Sequence, residues 1–169
     1  KTSVTGVGNS LDNIVNGGDI ANKLFGLGGN DSMFGSDGND TIDGGTGNDT
    51  MLGGEGNDTF LIESAGDVLD ERFWGGIDTA ITTVSYSLDS TAAAKVENLT
   101  LAAGAGGISG TGNGLNNLIT GNDGFNALNG ADGNDTINGG GGVDSILGGK
   151  GNDKLSGGTG SDLILGGEG

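Results

Sequence analysis

A nine-residue period, running in two blocks, constrains this chain more than any other feature. Repeats open at Gly8, Gly17, Gly26, Gly35, Gly44 and Gly53 in the first block. In the second they open at Gly112, Gly121, Gly130, Gly139, Gly148 and Gly157, and a further one opens at Gly166 and stops at Gly169, which reads as a piece of something longer. Self-similarity at so short a period marks a solenoid, because a single repeat cannot bury its own apolar residue and must stack on its neighbours.

Position eight of the complete repeats is always apolar: Val15, Leu24, Met33, Ile42, Met51 and Phe60, then Ile119, Leu128, Ile137, Ile146, Leu155 and Ile164. One inward residue in nine cannot make an amphipathic helix of period 3.6. The glycines at positions one and four, mostly with another at two, allow tight turning, and residues six to nine then form a very short strand. If two nonapeptides close one coil, equivalent positions of every second repeat stack about 4.8 Å apart, the spacing of hydrogen-bonded strands.

Position six is where charge accumulates. It reads Asn13, Asn22, Asp31, Asp40, Asp49 and Asp58, then Asn117, Asn126, Asp135, Asp144, Asp153 and Asp162. Stacking sets Asp31 over Asp49, Asp40 over Asp58, Asp135 over Asp153 and Asp144 over Asp162. Carboxylates aligned in this way repel unless a cation sits between them.

The composition agrees. With 41 glycines, 32% hydrophobic and 4% aromatic residues in 169, a conventional two-layer core is starved of large side chains, and something else must offset the entropy of ordering the backbone. A net charge of −17 sets the chain against nucleic acid and anionic membrane surfaces and points to cations as partners. Cysteine and histidine are absent, which removes disulfides, thiolate and imidazole metal sites and His-based acid–base catalysis. No segment is long and apolar enough to cross a membrane as a helix, and Lys1-Thr2-Ser3-Val4 lacks the apolar run of a signal peptide.

Carboxylates and backbone carbonyls in a turn suit a hard cation that takes six to eight oxygens. Ca²⁺ fits. Mg²⁺ prefers a small octahedral shell and keeps its waters, and Mn²⁺ stays open from the residues alone.

The repeats Gly44-Gly45-Thr46-Gly47-Asn48-Asp49-Thr50-Met51-Leu52 and Gly53-Gly54-Glu55-Gly56-Asn57-Asp58-Thr59-Phe60-Leu61 resemble the RTX, or haemolysin-type, calcium-binding nonapeptide family. The resemblance runs through Gly8 to Leu61 and Gly112 to Gly169. It implies an all-β, right-handed parallel β-roll (a β-solenoid) holding several Ca²⁺ ions, in proteins exported from Gram-negative bacteria, typically by a type I route. It also implies calcium ligation by Asp31, Asp40, Asp49, Asp58, Asp135, Asp144, Asp153 and Asp162 and by the turns containing Gly29, Gly38, Gly47, Gly56, Gly133, Gly142, Gly151 and Gly160. Leu27 and Ser36 depart from the usual second glycine. Asn13, Asn22, Asn117 and Asn126 replace the aspartates, and Leu11, Ile20 and Leu115 the fourth-position glycine. These coils are expected to lack a full calcium site, their stacked amides hydrogen-bonding to one another instead.

Three segments follow: a first β-roll block at 1–61, an irregular β insert at 62–111 that continues the solenoid, and a second block at 112–169. Ile77–Val84 and Val96–Leu101 have strand composition. Asp67, Asp70, Glu71 and Asp78 are expected to form a solvated acidic loop rather than further sites. Phe73 and Trp74 are expected to cover the apolar end of a coil. The Asn-x-Ser/Thr sequons at Asn30, Asn39, Asn48, Asn57 and Asn134 are by-products of the repeat, and neither an EF-hand nor a phosphate loop is present.

Catalysis is not expected, since the acids form a ladder that does not set one carboxyl apart from its neighbours. Without metal, repelling aspartates and a glycine backbone should leave the chain disordered; with calcium, binding free energy becomes folding free energy. The expected function is a calcium-binding module that folds after export, attached to a larger secreted protein. The alternative is a self-associating structural unit of a surface layer, adhesin or extracellular assembly.

Overall fold

The computed structural model describes residues 5–71, 75–89 and 95–169. Among these residues all regular structure is β, and the strand pairings are parallel. The chain divides into two compact units. The first holds the residues up to Ile81 with Lys95 and Val96; the second holds residues 82–89 and 97–169. Phe73 and Trp74, expected to cover a coil end, lie outside the described residues.

In the first unit one parallel sheet runs in the order β1 (Thr5–Asn9), β3 (Lys23–Leu27), β5 (Thr41–Asp43), β7 (Thr59–Ile62) and β9 (Thr79–Thr82). The opposite sheet runs β2 (Ile14–Asn16), β4 (Ser32–Asp37), β6 (Thr50–Glu55) and β8 (Val68–Leu69). Odd strands pair only with odd and even with even, so each coil takes one strand from each sheet. Thr41 pairs with Lys23 on one side and Thr59 on the other, and Met33 with Val15 and Met51. Each partner is two nonapeptides away, which is the geometry of a β-solenoid with two repeats per coil.

The second unit repeats the plan. One sheet contains β11 (Asn98–Leu101), β13 (Leu118–Thr120), β15 (Thr136–Asn138) and β17 (Lys154–Ser156). The other contains β10 (Tyr86–Ser87), β12 (Ser109–Thr111), β14 (Ala127–Asp132), β16 (Ser145–Lys150) and β18 (Leu163–Glu168). The segment between the repeat blocks therefore supplies strands of its own, and the strand compositions of Ile77–Val84 and Val96–Leu101 are realised as β9 and β11. Where that segment takes part, the step lengthens: Asn98 pairs with Leu118 and Tyr86 with Gly110.

Alternation along each short strand places one residue inward between two outward ones. The core of the first unit is thus two facing ladders, Leu24, Ile42, Phe60 and Ala80 from one sheet and Val15, Met33, Met51 and Leu69 from the other. Leu99, Ile119 and Ile137, with Leu128 and Ile146 opposite, do the same in the second, where Leu88 is also buried. Leu155 is half-buried and Ile164 is 44% exposed, so the position-eight ladder thins over its last two members. The strands begin at position seven rather than six; position six stands at the end of the turn, where its side chain is free to serve the turn instead of the sheet.

Candidate metal centre

The turns that carry aspartate share one backbone form. In each of them positions two and four both lie at positive φ: Gly29, Gly38, Gly47, Gly56, Gly133, Gly142, Gly151 and Gly160 at position four, and Gly45, Gly54, Gly140, Gly149 and Gly158 at position two. Leu27 (φ 76°), Ser36 (φ 85°) and Ala131 (φ 79°) hold the same conformation as glycine does in the other repeats. The departures at Leu27 and Ser36 therefore leave the turn intact, and Ala131 is a third case. At Gly47 (φ 141°) the requirement is absolute, because an added Cβ would overlap the carbonyl oxygen of Gly29 in the preceding coil.

Each turn delivers its position-six aspartate to the interior. Asp31, Asp40, Asp49, Asp58, Asp135 and Asp144 are at most 2% exposed, while Asp153 and Asp162 are half-buried. One carboxylate oxygen is used in a ladder along the solenoid: Asp49 Oδ1 accepts the N–H of Asp31 at 2.7 Å, and Asp58 Oδ1 that of Asp40 at 2.7 Å. In the second unit Asp153 Oδ1 accepts from Asp135 at 2.9 Å and Asp162 Oδ1 from Asp144 at 3.0 Å. The ladder begins on the asparagine coils, whose N–H groups donate to Asp31, Asp40, Asp135 and Asp144.

The other oxygen has no such use. Oδ2 of Asp31, Asp40, Asp49, Asp58, Asp135, Asp144 and Asp153 is buried without a hydrogen-bond partner. It faces the position-one glycine of its own repeat so closely that a Cβ added at Gly26, Gly35, Gly130 or Gly139 would overlap both this oxygen and the carbonyl oxygen of the position-one glycine one coil on. Anionic oxygens and main-chain carbonyls thus converge with no donor among them, and leaving a buried carboxylate oxygen unmatched is expensive. Among the described residues no three acidic side chains gather as a ready-made carboxylate cage. The donor set is one carboxylate per turn plus carbonyls, which fits a hard divalent cation of high coordination number.

Electrostatics agree with that demand. Asp40 is pushed up to about 6 by burial and then by the charges of Asp58 and Asp37, against the lowering effect of the Asn22 N–H. Burial, joined by Asp153, raises Asp135 to about 6. Asp49 and Asp58 are also raised, chiefly by burial.

The asparagine turns behave differently from the expected amide-on-amide stacks. Oδ1 of Asn13, Asn22, Asn117 and Asn126 accepts from the backbone N–H four residues earlier, in its own turn. Nδ2 of Asn117 and Asn126 donates to the carbonyls of Glu97 and Ile108 in the coil before. Amides do run along the solenoid, but at position five: Asn30 Oδ1 accepts from Asn48 N–H, Asn39 from Asn57 and Asn134 from Asn152.

The solvated-loop expectation for the insert is overturned at Asp67, Glu71 and Asp78, while Asp70 is half-buried. Asp67, Glu71 and Asp78 are 4%, 0% and 1% exposed. Asp67 Oδ1 accepts the Asp49 N–H at 3.0 Å and Asp78 Oδ1 the Asp58 N–H at 2.8 Å, so both extend the aspartate ladder. The signal was present in the sequence: Asp67 and Leu69 stand one full coil beyond Asp49 and Met51, which makes Ile62–Asp70 a nonapeptide stripped of its position-one, -two and -four glycines. Asp78 is displaced by two extra residues. Glu71 is raised to about 8, first by burial and then by Asp78 and Asp58, with the Gly53 and Gly54 N–H groups opposing.

A family model described as the RTX calcium-binding nonapeptide repeat matches four times, over residues 7–42, 25–60, 111–146 and 139–169. No curated protein matches the chain.

Proposed function

The chain belongs to the RTX calcium-binding nonapeptide repeat family, and on that premise we propose that it is a calcium-dependent folding module of a secreted or cell-surface bacterial protein. The observation that carries this is the row of buried Oδ2 atoms without partners from Asp31 to Asp58 and from Asp135 to Asp153. Asp31, Asp40, Asp49, Asp58, Asp135, Asp144, Asp153 and Asp162 supply the charged ligands. The turns built on Gly29, Gly38, Gly47, Gly56, Gly133, Gly142, Gly151 and Gly160 add main-chain carbonyls.

Calcium, when bound, supplies the positive charge that these columns lack. In its absence the aspartates repel along each ladder, the positive-φ turns have nothing to hold them, and a core of one apolar residue per nonapeptide is too thin to compensate. Extracellular sites bind at about 10⁻⁴ to 10⁻³ M, so the same chain is unfolded in a low-calcium cytosol and folded outside the cell. That difference suits passage through an export channel.

The test is a calcium titration of metal-free protein followed by far-UV circular dichroism, with magnesium as control. A cooperative gain of β signal with calcium and not with magnesium is expected. A full β spectrum in chelator, unchanged by calcium, overturns the proposal.

A further inference from the structure

In several aspartate repeats the space beside the position-one glycine is bounded by two oxygens. One is Oδ2 of the aspartate of the same repeat, and the other is the carbonyl of the position-one glycine one coil on: Gly44 beside Gly26, Gly53 beside Gly35, Gly148 beside Gly130 and Gly157 beside Gly139. Beside Gly53 the first oxygen is present as Asp58 Oδ2, but one coil on the chain carries Glu71 instead of glycine. The second oxygen is supplied all the same. Glu71 Oε1 lies 2.7 Å from where a Gly53 Cβ would stand, and it accepts the Gly53 N–H at 2.5 Å. Elsewhere that N–H donates to a main-chain carbonyl, Gly17 to Phe34 and Gly139 to Ser156.

The glutamate brings more than a substitute carbonyl. Its Oε2 is buried without a partner, as is Asp58 Oδ2, and the two residues are 0% and 1% exposed. Asp78 is tied to the Asp58 N–H through Oδ1 at 2.8 Å, so it fixes the aspartate's backbone from the far side. Glu71 comes from outside the repeat blocks, and no repeat carries a glutamate at this position.

We propose that Asp58 and Glu71 form a divalent-cation site in which two carboxylates replace the carboxylate-plus-carbonyl pair of the regular turns. This rests on the reading of the aspartate ladder as calcium-binding. Affinity for calcium rises with the number of charged ligands, so this site fills before its neighbours and is the tightest of the first block. It lies where the regular repeats of that block give way to the insert, and filling it first orders the coil on which the others stack.

Calcium stoichiometry and affinity classes, measured on the whole chain by equilibrium dialysis and calorimetry, decide the matter. Glu71→Gln keeps the size and the acceptor for the Gly53 N–H while removing the charge. The expected result is loss of the tightest class, weakened by about tenfold or more, with the weaker classes unchanged. Wild-type protein that binds calcium with the same number and affinities as Glu71→Gln overturns the Glu71 site and leaves the ladder reading standing. Wild-type protein that binds no calcium overturns both. If Glu71→Gln does not reach the wild-type β signal at saturating calcium, the count is taken on Asp58→Asn, which retains Glu71 and its hydrogen bond. Asp40→Asn, a regular ladder aspartate, is measured beside it: loss of the tight class in Asp58→Asn alone supports the site, and a tight class that is unaltered in Asp58→Asn or lost equally in both refutes it.

Discussion

The repeats Gly17–Phe25 and Gly35–Asp43 stack directly on one another, and their position-six residues, Asn22 and Asp40, are equally buried at 2% exposed. They nevertheless solve the same problem in opposite ways. Asn22 turns its Oδ1 into its own turn, onto the Gly18 N–H at 2.6 Å. Asp40 sends Oδ1 to the Asn22 N–H in the coil before and leaves Oδ2 without a partner. The backbone follows suit: positions two and four are at positive φ in every aspartate turn and at none of the corresponding positions in the asparagine turns. The neutral turn pairs its side-chain oxygen within the protein and leaves only the uncharged Asn22 Nδ2 without a partner, whereas the charged turn leaves an anionic oxygen that calls for something the protein does not supply. An amide NH2 replaced by a charged oxygen and two reversed dihedrals separate a structural coil from a ligand-demanding one.

The sharpest way to break this comparison is to remove the backbone form from a charged turn. Gly47→Ala sets a Cβ against the Gly29 carbonyl at a φ that L-residues avoid. It should cost more than about 3 kcal/mol at saturating calcium, seen as loss of melting temperature. Gly18→Ala, in an asparagine turn with open space around the position of a Cβ, should stay within about 0.5 kcal/mol. Equal effects would mean that the two turn types do not differ in what they require.

Exchanging the side chains tests the other half. Asp49→Asn removes an unpartnered oxygen and should raise the calcium midpoint for folding by about tenfold, since even groups that only orient ligands are worth that much. The reverse change, Asn126→Asp, should add no ion, because its turn lacks the positive-φ backbone. It should also destabilise the folded form by about 1–3 kcal/mol, as the donations from Nδ2 to Ile108 and Asn122 are lost. A new calcium ion in Asn126→Asp would show that charge alone makes the site.

Acid should stand in for metal. The carboxyls of Asp40 and Asp135 are raised from 3.8 to about 6, and that of Glu71 from 4.5 to about 8. Each folded-state value lies above its unfolded one, so the folded form holds protons more tightly. The associated stability is present below about pH 4 and is lost as pH rises through 6 for the aspartates and through 8 for the glutamate. In metal-free buffer the β signal should therefore increase on acidification from pH 8 to 4, the asparagine turns contributing nothing to the change. A signal independent of pH across that interval would show that carboxylate repulsion is not what opposes folding.

Much of this was legible in the residues because the repeat writes the same instruction many times. The period gave the two-repeat coil, and Leu24, Ile42 and Phe60 gave the core ladder, since each position has a single environment. What escaped was whatever the repeat does not spell. Asp67 occupies the register of position six without the glycines that announce it, so its burial depended on a coil continuing through Ile62–Asp70 that composition does not mark. Glu71 matters only because its side chain reaches the place of a main-chain carbonyl, and no pattern of residue types encodes that substitution. The asparagines were misjudged for a related reason: residue identity says that an amide needs partners but not whether they come from the next coil or from its own turn.

Ala131 refines the comparison at its finest scale. It holds φ 79° at position two, where Gly140, Gly149 and Gly158 stand in the repeats that follow. The left-handed region costs an L-residue about 1–2 kcal/mol, whereas glycine adopts it freely but loses more chain entropy on folding, about 0.5–1 kcal/mol. Ala131→Gly should thus stabilise the calcium-bound protein by about 0.5–1 kcal/mol, raising its melting temperature slightly without altering the number of ions. The difference should vanish in a protein unfolded by chelation, since the strain belongs to the folded turn alone. Destabilisation by Ala131→Gly at saturating calcium would mean that the conformation at position two is set by the packing of neighbouring coils, and that the positive-φ pair is a consequence of stacking instead of the device that separates charged turns from neutral ones.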